Sequence, residues 1–309
     1  MIHWRALTFA VFFAIPLLSA CGRIHPTPAA SPLRVAVDRG NLLDAPLLIA
    51  QTRGYFRENG LAVTLVPGGW SALSHGQAQV GAVSPEHLAA GWPGFAALTD
   101  LSGAFLLTRL AGGPFTWSSL AGKAVLSGQE QGFNTRLLRF ILKQHRLPST
   151  RVLSGLPPET FLRGTGDAIV LDEPAATAWS VGKTAHLGAS LGAEGGPLLG
   201  AVMAAPAPFL ATGGSRVQAF TDAVFRAQLW LGNRNPNQIA ALLAPYFPGQ
   251  PPGALSQAVR RYWVEGVWSA QPVPTPLAVS RTGKVLGHSL DADLKLSFAE
   301  KALRTVIGP

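Results

Sequence analysis

Apolar positions along this chain fall into short continuous blocks separated by longer stretches with helical spacing. Leu33-Arg-Val-Ala-Val37 predicts a strand, and residues 45–59 predict a helix stopped by Gly60. Residues 61–66 (LAVTLV) predict a second strand, closed by the turn Pro67-Gly68-Gly69. Residues 79–83 (QVGAV) predict a third, after which Ser84-Pro85-Glu86 carries the signature of a helix start: serine, proline, then an acid in the first turn. Repeated strand–helix–strand units with apolar strands imply a parallel, doubly wound sheet.

The pattern then repeats. Residues 123–126 predict a strand, and residues 133–145 a helix with Phe133, Leu137, Ile141 and Leu142 on one face. Residues 151–153 and 168–171 supply two more strands. Beyond about residue 200 the spacing turns helical, with Val217, Phe220, Val224, Ala227 and Leu231 on one face and Leu255, Val259 and Tyr262 on another. Two α/β units followed by a helical tail predict two lobes, with the chain crossing between them.

The first residues add a location. Residues 6–20 form an apolar run behind Arg5, shorter than the roughly 20 residues a membrane-spanning helix needs. A positive start, a short apolar core and small residues before a cut make a secretory signal, residues 1–20. Leu18-Ser19-Ala20-Cys21 resembles the bacterial lipobox, and Cys21 is the sole cysteine. An odd cysteine in an exported chain needs an explanation. Lipidation of Cys21 supplies one, because each buried acyl methylene contributes about 0.8 kcal/mol of membrane affinity. Residues 21–32, with three prolines after the cysteine, read as a tether. The formal charge is +9, or +8 once Arg5 leaves with the signal. Its basic residues are scattered, with Arg260-Arg261 the one adjacent pair, so nucleic acid is not an expected partner.

Catalytic and cofactor motifs are sparse. No histidines stand in an H-E-x-x-H arrangement and paired thiolates are impossible, so no metal site is expected. Gly122-Lys123 lacks the glycine and hydroxyl residue of a phosphate-cradling loop, and no G-x-G-x-x-G follows a predicted strand. No cofactor is expected. Gly188-Ala-Ser190-Leu-Gly192 fits G-x-S-x-G, and Asp222 and His288 follow in the order of a hydrolase triad. That chemistry needs a helix directly after the serine. The sequence Gly192-Ala-Glu-Gly-Gly-Pro197 predicts a glycine-rich loop instead, which leaves an exported serine hydrolase as the alternative to a protein without catalysis.

Five polar or glycine-rich loops fall at expected strand C-termini: residues 41–45, 68–71, 84–86, 127–134 and 172–174. Open α/β sheets bind ligands outside these ends, where helix N-termini present free N–H groups. Asn41, Asp44, Gly69, Trp70, Ser84, Glu86, Gln131, Asn134 and Glu173 are therefore the candidate ligand-binding residues. Acids at 44, 86 and 173 favour a nitrogenous ligand with N–H donors, whereas backbone N–H groups around Gly68-Gly69 and residues 128–132 favour an anion.

The words Pro46-Leu-Leu-Ile-Ala50, Arg53-Gly-Tyr-Phe-Arg57, Gly60-Leu-Ala-Val63 and Gly76-Gln-Ala-Gln-Val-Gly81 resemble the opening of substrate-binding proteins of ABC transporters of the nitrate/sulfonate/taurine type, a group that includes binders of thiamine-pyrimidine precursors. Leu120-Ala-Gly-Lys123, Asp172-Glu-Pro174, Asn235-Pro236, Gly266-Val-Trp268 and Ser297-Phe-Ala-Glu300 continue the resemblance in order. Gln79 departs from it, standing where the family commonly has aspartate. The resemblance implies a type II periplasmic-binding-protein-like α/β fold, with lobe I from residues 33–104 plus 200–309 and lobe II from 105–199. It also implies a monomer that closes on a small-molecule ligand and presents it to an ABC permease, itself held to the extracytoplasmic face of the membrane by its lipid.

Overall fold

The computed structural model describes residues 32–109 and 114–307. The expected signal, Cys21 and nearly all of the tether lie outside the described residues. The described strands are β1 (Leu33–Val37), β2 (Val63–Pro67), β3 (Val80–Val83), β4 (Gly94–Ala97), β5 (Ala104–Thr108), β6 (Ala124–Ser127), β7 (Arg151–Ser154), β8 (Ala168–Asp172), β9 (His186–Ser190) and β10 (Val202–Ala204). They form two five-stranded sheets, ordered β2-β1-β3-β10-β4 and β7-β6-β8-β5-β9.

Both sheets are mixed. β1 pairs in parallel with β2 (Leu33 opposite Val63) and with β3 (Val35 opposite Val80), but β10 runs antiparallel to β3 and β4. Likewise β6 is parallel to β7 and β8, while β5 is antiparallel to β8 and β9. The reversed strands, β5 and β10, are those the chain reaches on crossing from the other sheet. β4 and β9 end on the side where the parallel strands end, so a chain leaving them enters the opposite sheet from its C-terminal edge and must run against it.

The crossovers, residues 98–103 and 191–201, lie side by side. Leu98 N–H donates to Ala201 O (3.0 Å), Leu198 N–H to Asp100 O (2.8 Å) and Ala201 N–H to the Thr99 hydroxyl (2.8 Å). Gly200 permits this approach, because a methyl there would stand 2.3 Å from Leu101 O.

Several elements differ from expectation. The helix expected over 45–59 is two helices, Ala45–Thr52 and Tyr55–Glu58, broken where Gly54 takes φ +77°. Ser84-Pro85-Glu86 opens only a single 3-10 turn, Pro85–His87, because the chain becomes extended again at Leu88 (ψ 136°). β4, β5, β9 and β10 had no predicted counterpart. A short helix, Leu191–Gly195, follows Ser190 in place of the expected loop; the Ser190 hydroxyl caps it by accepting from Ala193 N–H at 3.1 Å.

The tail joins both halves of the molecule. Its long helix, Gly214–Gly232, covers Ala45–Thr52 and Tyr55–Glu58, with Phe220 stacked on Phe56 at 5.3 Å. Helix Ser297–Ile307 packs beside it. Helix Ala254–Glu265 instead packs on Ala175–Val181 after β8, and Pro276–Leu286 on Phe133–Gln144 after β6. Phe56, Phe95, Phe105, Phe161, Phe220 and Tyr262 are fully enclosed, each large side chain contributing roughly 1.5–3 kcal/mol through burial. No helix among the described residues is long and apolar enough to cross a membrane.

Candidate ligand-binding cleft

The parallel strands of both sheets end toward one another, and a cavity of about 440 Å³ lies between the turn after β3 and the loop after β6. Ser84, Glu86 and His87 form one wall. Gly128, Gln129, Gln131 and the first residues of helix Phe133–Gln144, through Arg136, form the other. A larger groove, about 770 Å³, runs along the tail between Pro274 and Leu296, away from the strand ends.

Glu86 joins the walls. Its Oε1 accepts from the Phe133 backbone N–H at 3.0 Å, one of the N–H groups a helix leaves free in its first turn. Its Oε2 is enclosed and has no hydrogen-bond partner among the described residues. Burial raises the Glu86 pKa above the ordinary carboxylate range, against the lowering effect of its backbone hydrogen bonds and Arg136. Arg136 is the one arginine on the cavity wall, and its guanidinium is engaged by the Gln131 carbonyl (2.9 Å), the Gln131 side chain and Leu286 O (3.0 Å). Beside Glu86, the His87 ring stacks on Trp70 at 4.5 Å, and Trp92 meets Trp70 edge-on at 5.2 Å. Burial lowers the His87 pKa, which favours the neutral ring.

More acids stand behind this cavity. Asn134 donates to both oxygens of Asp172, at 3.1 and 3.2 Å, and accepts from the Ser102 hydroxyl in the first crossover at 3.3 Å. Asp172 is raised to about 6 by burial, opposed by that amide. Across from it Asp44, 3 % exposed, accepts from Asp38 N–H at 2.7 Å and is pushed up to about 8 by burial. Asp38 is also raised by burial. These carboxyls lie close enough for the charge of Asp38 to act on both Asp44 and Asp172.

Of the nine residues expected from sequence, Ser84, Glu86, Gln131 and Asn134 line the cavity. Asn41 and Asp44 hold the turn after β1, where the Asn41 side chain accepts from Leu43 N–H at 2.9 Å. Gly69 begins the short helix after β2, and Trp70 backs His87 rather than lining the cavity. Glu173 is fully enclosed and does not line it: Thr177 N–H (2.9 Å), the Thr177 hydroxyl (2.8 Å) and Arg261 occupy its oxygens. His87, Arg136 and Asp172 were not singled out. Adjacency to Glu86, one helical turn from Gly132, and the end of a buried strand were the signals for them. Gln79 accepts from Arg34 N–H at 2.7 Å, tying β3 to β1 at a site remote from the cavity.

Ser190, Asp222 and His288 form no triad. Ser190 donates to Glu265 at 2.7 Å, Asp222 is bonded to Gln218 and Thr305, and His288 lines the tail groove.

Two mixed α/β sheets facing a common cavity, joined by paired crossovers, make this a protein of the two-lobed periplasmic-binding-protein fold. Residues 43–152 match the family model described as NMT1/THI5 like. The chain is 26% identical over 294 residues to the putative binding protein YtlA of Bacillus subtilis (strain 168), covering 88% of each chain. Among solved structures it is similar to the alkanesulfonate-binding protein SsuA from Xanthomonas axonopodis pv. citri bound to MOPS (TM-score 0.67, 19% identity, 89% of this chain and 98% of that one). It is also similar to the periplasmic nitrate-binding protein NrtA from Synechocystis PCC 6803 (TM-score 0.67, 12% identity, 90% and 89%). The resemblance read from the sequence therefore holds, and these structures establish the fold.

Proposed function

We propose that this chain is an extracytoplasmic solute-binding protein that captures a small molecule between its lobes and delivers it to an ABC permease. The cavity between facing strand C-termini carries the reading, since Glu86 and Phe133, 47 positions apart, meet across it. The relatives whose names state a ligand, SsuA and NrtA, bind an alkanesulfonate and nitrate. In this reading residues 33–104 with the tail and residues 105–199 act as the moving lobes, the protein works as a monomer without catalytic turnover, and a lipid on Cys21 holds it to the membrane.

The test is thermal unfolding of the full chain in detergent against nitrate, taurine, alkanesulfonates, aminopyrimidines and simple amines. A ligand present at 100 times its Kd adds about 2.7 kcal/mol and raises the unfolding temperature visibly. A uniformly flat panel would count against a receptor for any of these classes. The anchor is tested separately: Cys21→Ala should abolish labelled palmitate incorporation and move the protein out of the membrane fraction. Retention of both would remove the anchor from the reading.

A further inference from the structure

The N-terminus of a helix facing a cleft is where an α/β protein ordinarily receives an anion, because free N–H groups and the helix dipole converge there. In this chain a carboxylate already stands there. The Glu86 carboxylate lies against the first turn of helix Phe133–Gln144 and accepts from Phe133 N–H. Arg136 lines the same wall, but three of its five N–H groups already go to Gln131 and Leu286 O. Glu86 Oε2, enclosed and without a donor, faces the opposite need. An orphaned acceptor of this kind costs about 1–3 kcal/mol, a cost removed when a donor arrives. Asp172, behind Asn134, adds negative charge on the same side.

We propose that the cleft selects an organic cation bearing N–H donors, an ammonium, amidinium or guanidinium, with Glu86 as its principal acceptor, and that Glu86 excludes free oxyanions by filling their place. The inference rests on the reading of the cleft as a solute site and names the ligand class within it. A cation would complete the Glu86 carboxylate, while a sulfonate or nitrate would set its own oxygens against the acceptor oxygens of Glu86.

The experiment compares benzamidine, agmatine and ethylammonium with nitrate and methanesulfonate by titration calorimetry on the full chain. At least one cation should bind and neither oxyanion should. Glu86→Gln, which keeps an acceptor for Phe133 N–H, should weaken the bound cation tenfold or more; its unfolding temperature without ligand checks that it is folded. An unchanged cation affinity in folded Glu86→Gln would overturn the role given to Glu86. Oxyanion binding to the wild type without any cation would overturn the inference and leave the solute-binding reading standing. Silence from both sets of probes would overturn the inference and weigh against a receptor for either class.

Discussion

The turn after β3 and the turn after β8 each place a glutamate beside a proline at the mouth of the lobes, yet the two acids live in opposite conditions. Glu173 is fully enclosed, and its oxygens are held by Thr177 and by Arg261, whose side chain is 20 % exposed. Glu86 has one oxygen on a helix N–H and the other without a partner among the described residues. Protein groups complete the first and leave the second incomplete. An acid whose partners come from its own chain fastens elements together; one left short of a donor marks where something else belongs.

The strongest test of this contrast is Glu173→Ala. It strips Arg261 of its carboxylate and leaves Thr177 N–H unbonded within the contact between helices Ala175–Val181 and Ala254–Glu265. Removing one partner of a buried ion pair typically costs about 3–5 kcal/mol. Urea denaturation should show a loss of that size, with ligand affinity in the surviving folded fraction little changed. A loss under about 1 kcal/mol would mean the Glu173 cluster fastens nothing.

Asp44 sharpens the contrast from another side, as a buried acid with no cation against it among the described residues. Its folded pKa is about 8 against an ordinary 3.8. Between those values the folded state keeps a proton that the unfolded chain releases, so this group lowers stability as pH rises from about 4 to 8. Asp44→Asn retains an acceptor for Asp38 N–H and cannot ionise. At pH 8 it should be more stable than wild type by about 5 kcal/mol, with the gap closing toward pH 4. Denaturation midpoints at several pH values measure it, and parallel pH profiles for the two proteins would show that Asp44 carries no such penalty.

How much of this was legible beforehand follows from where the signal lay. β1 and β8 announced themselves through dense apolar blocks, broken in β1 only by Arg34. β4 (GFAA) and β10 (VMA) did not: short, fully buried and poor in β-branched residues, they show neither alternation nor strand composition. Their strand character comes from neighbours supplied by distant parts of the chain. The apolar spacing over 45–59 was genuine, but a single left-handed glycine divided the helix. At the site, loop position sufficed to find Ser84, Glu86, Gln131 and Asn134. It could not separate Glu86 from Glu173, because that difference is made by Arg261, 88 positions from Glu173 along the chain.

The smallest expected effect is the most discriminating. In the absence of ligand, Glu86→Gln should change stability by no more than about 1 kcal/mol. The amide oxygen still accepts from Phe133 N–H, and the variant no longer has to bury a charge. The Glu86 pKa is raised by burial, so the wild-type carboxyl weakens the fold as pH climbs through its titration. The variant should therefore match wild type in acid and gain slightly as pH rises above the ordinary glutamate pKa, opposite in sign to the loss from Glu173→Ala. A penalty approaching that of Glu173→Ala would make Glu86 a fastener as well, and its unpartnered oxygen would cease to speak for a ligand. A small gain in the variant would leave Glu86 with a cost to the free protein and no structural return, the condition expected of a carboxylate kept for what it binds.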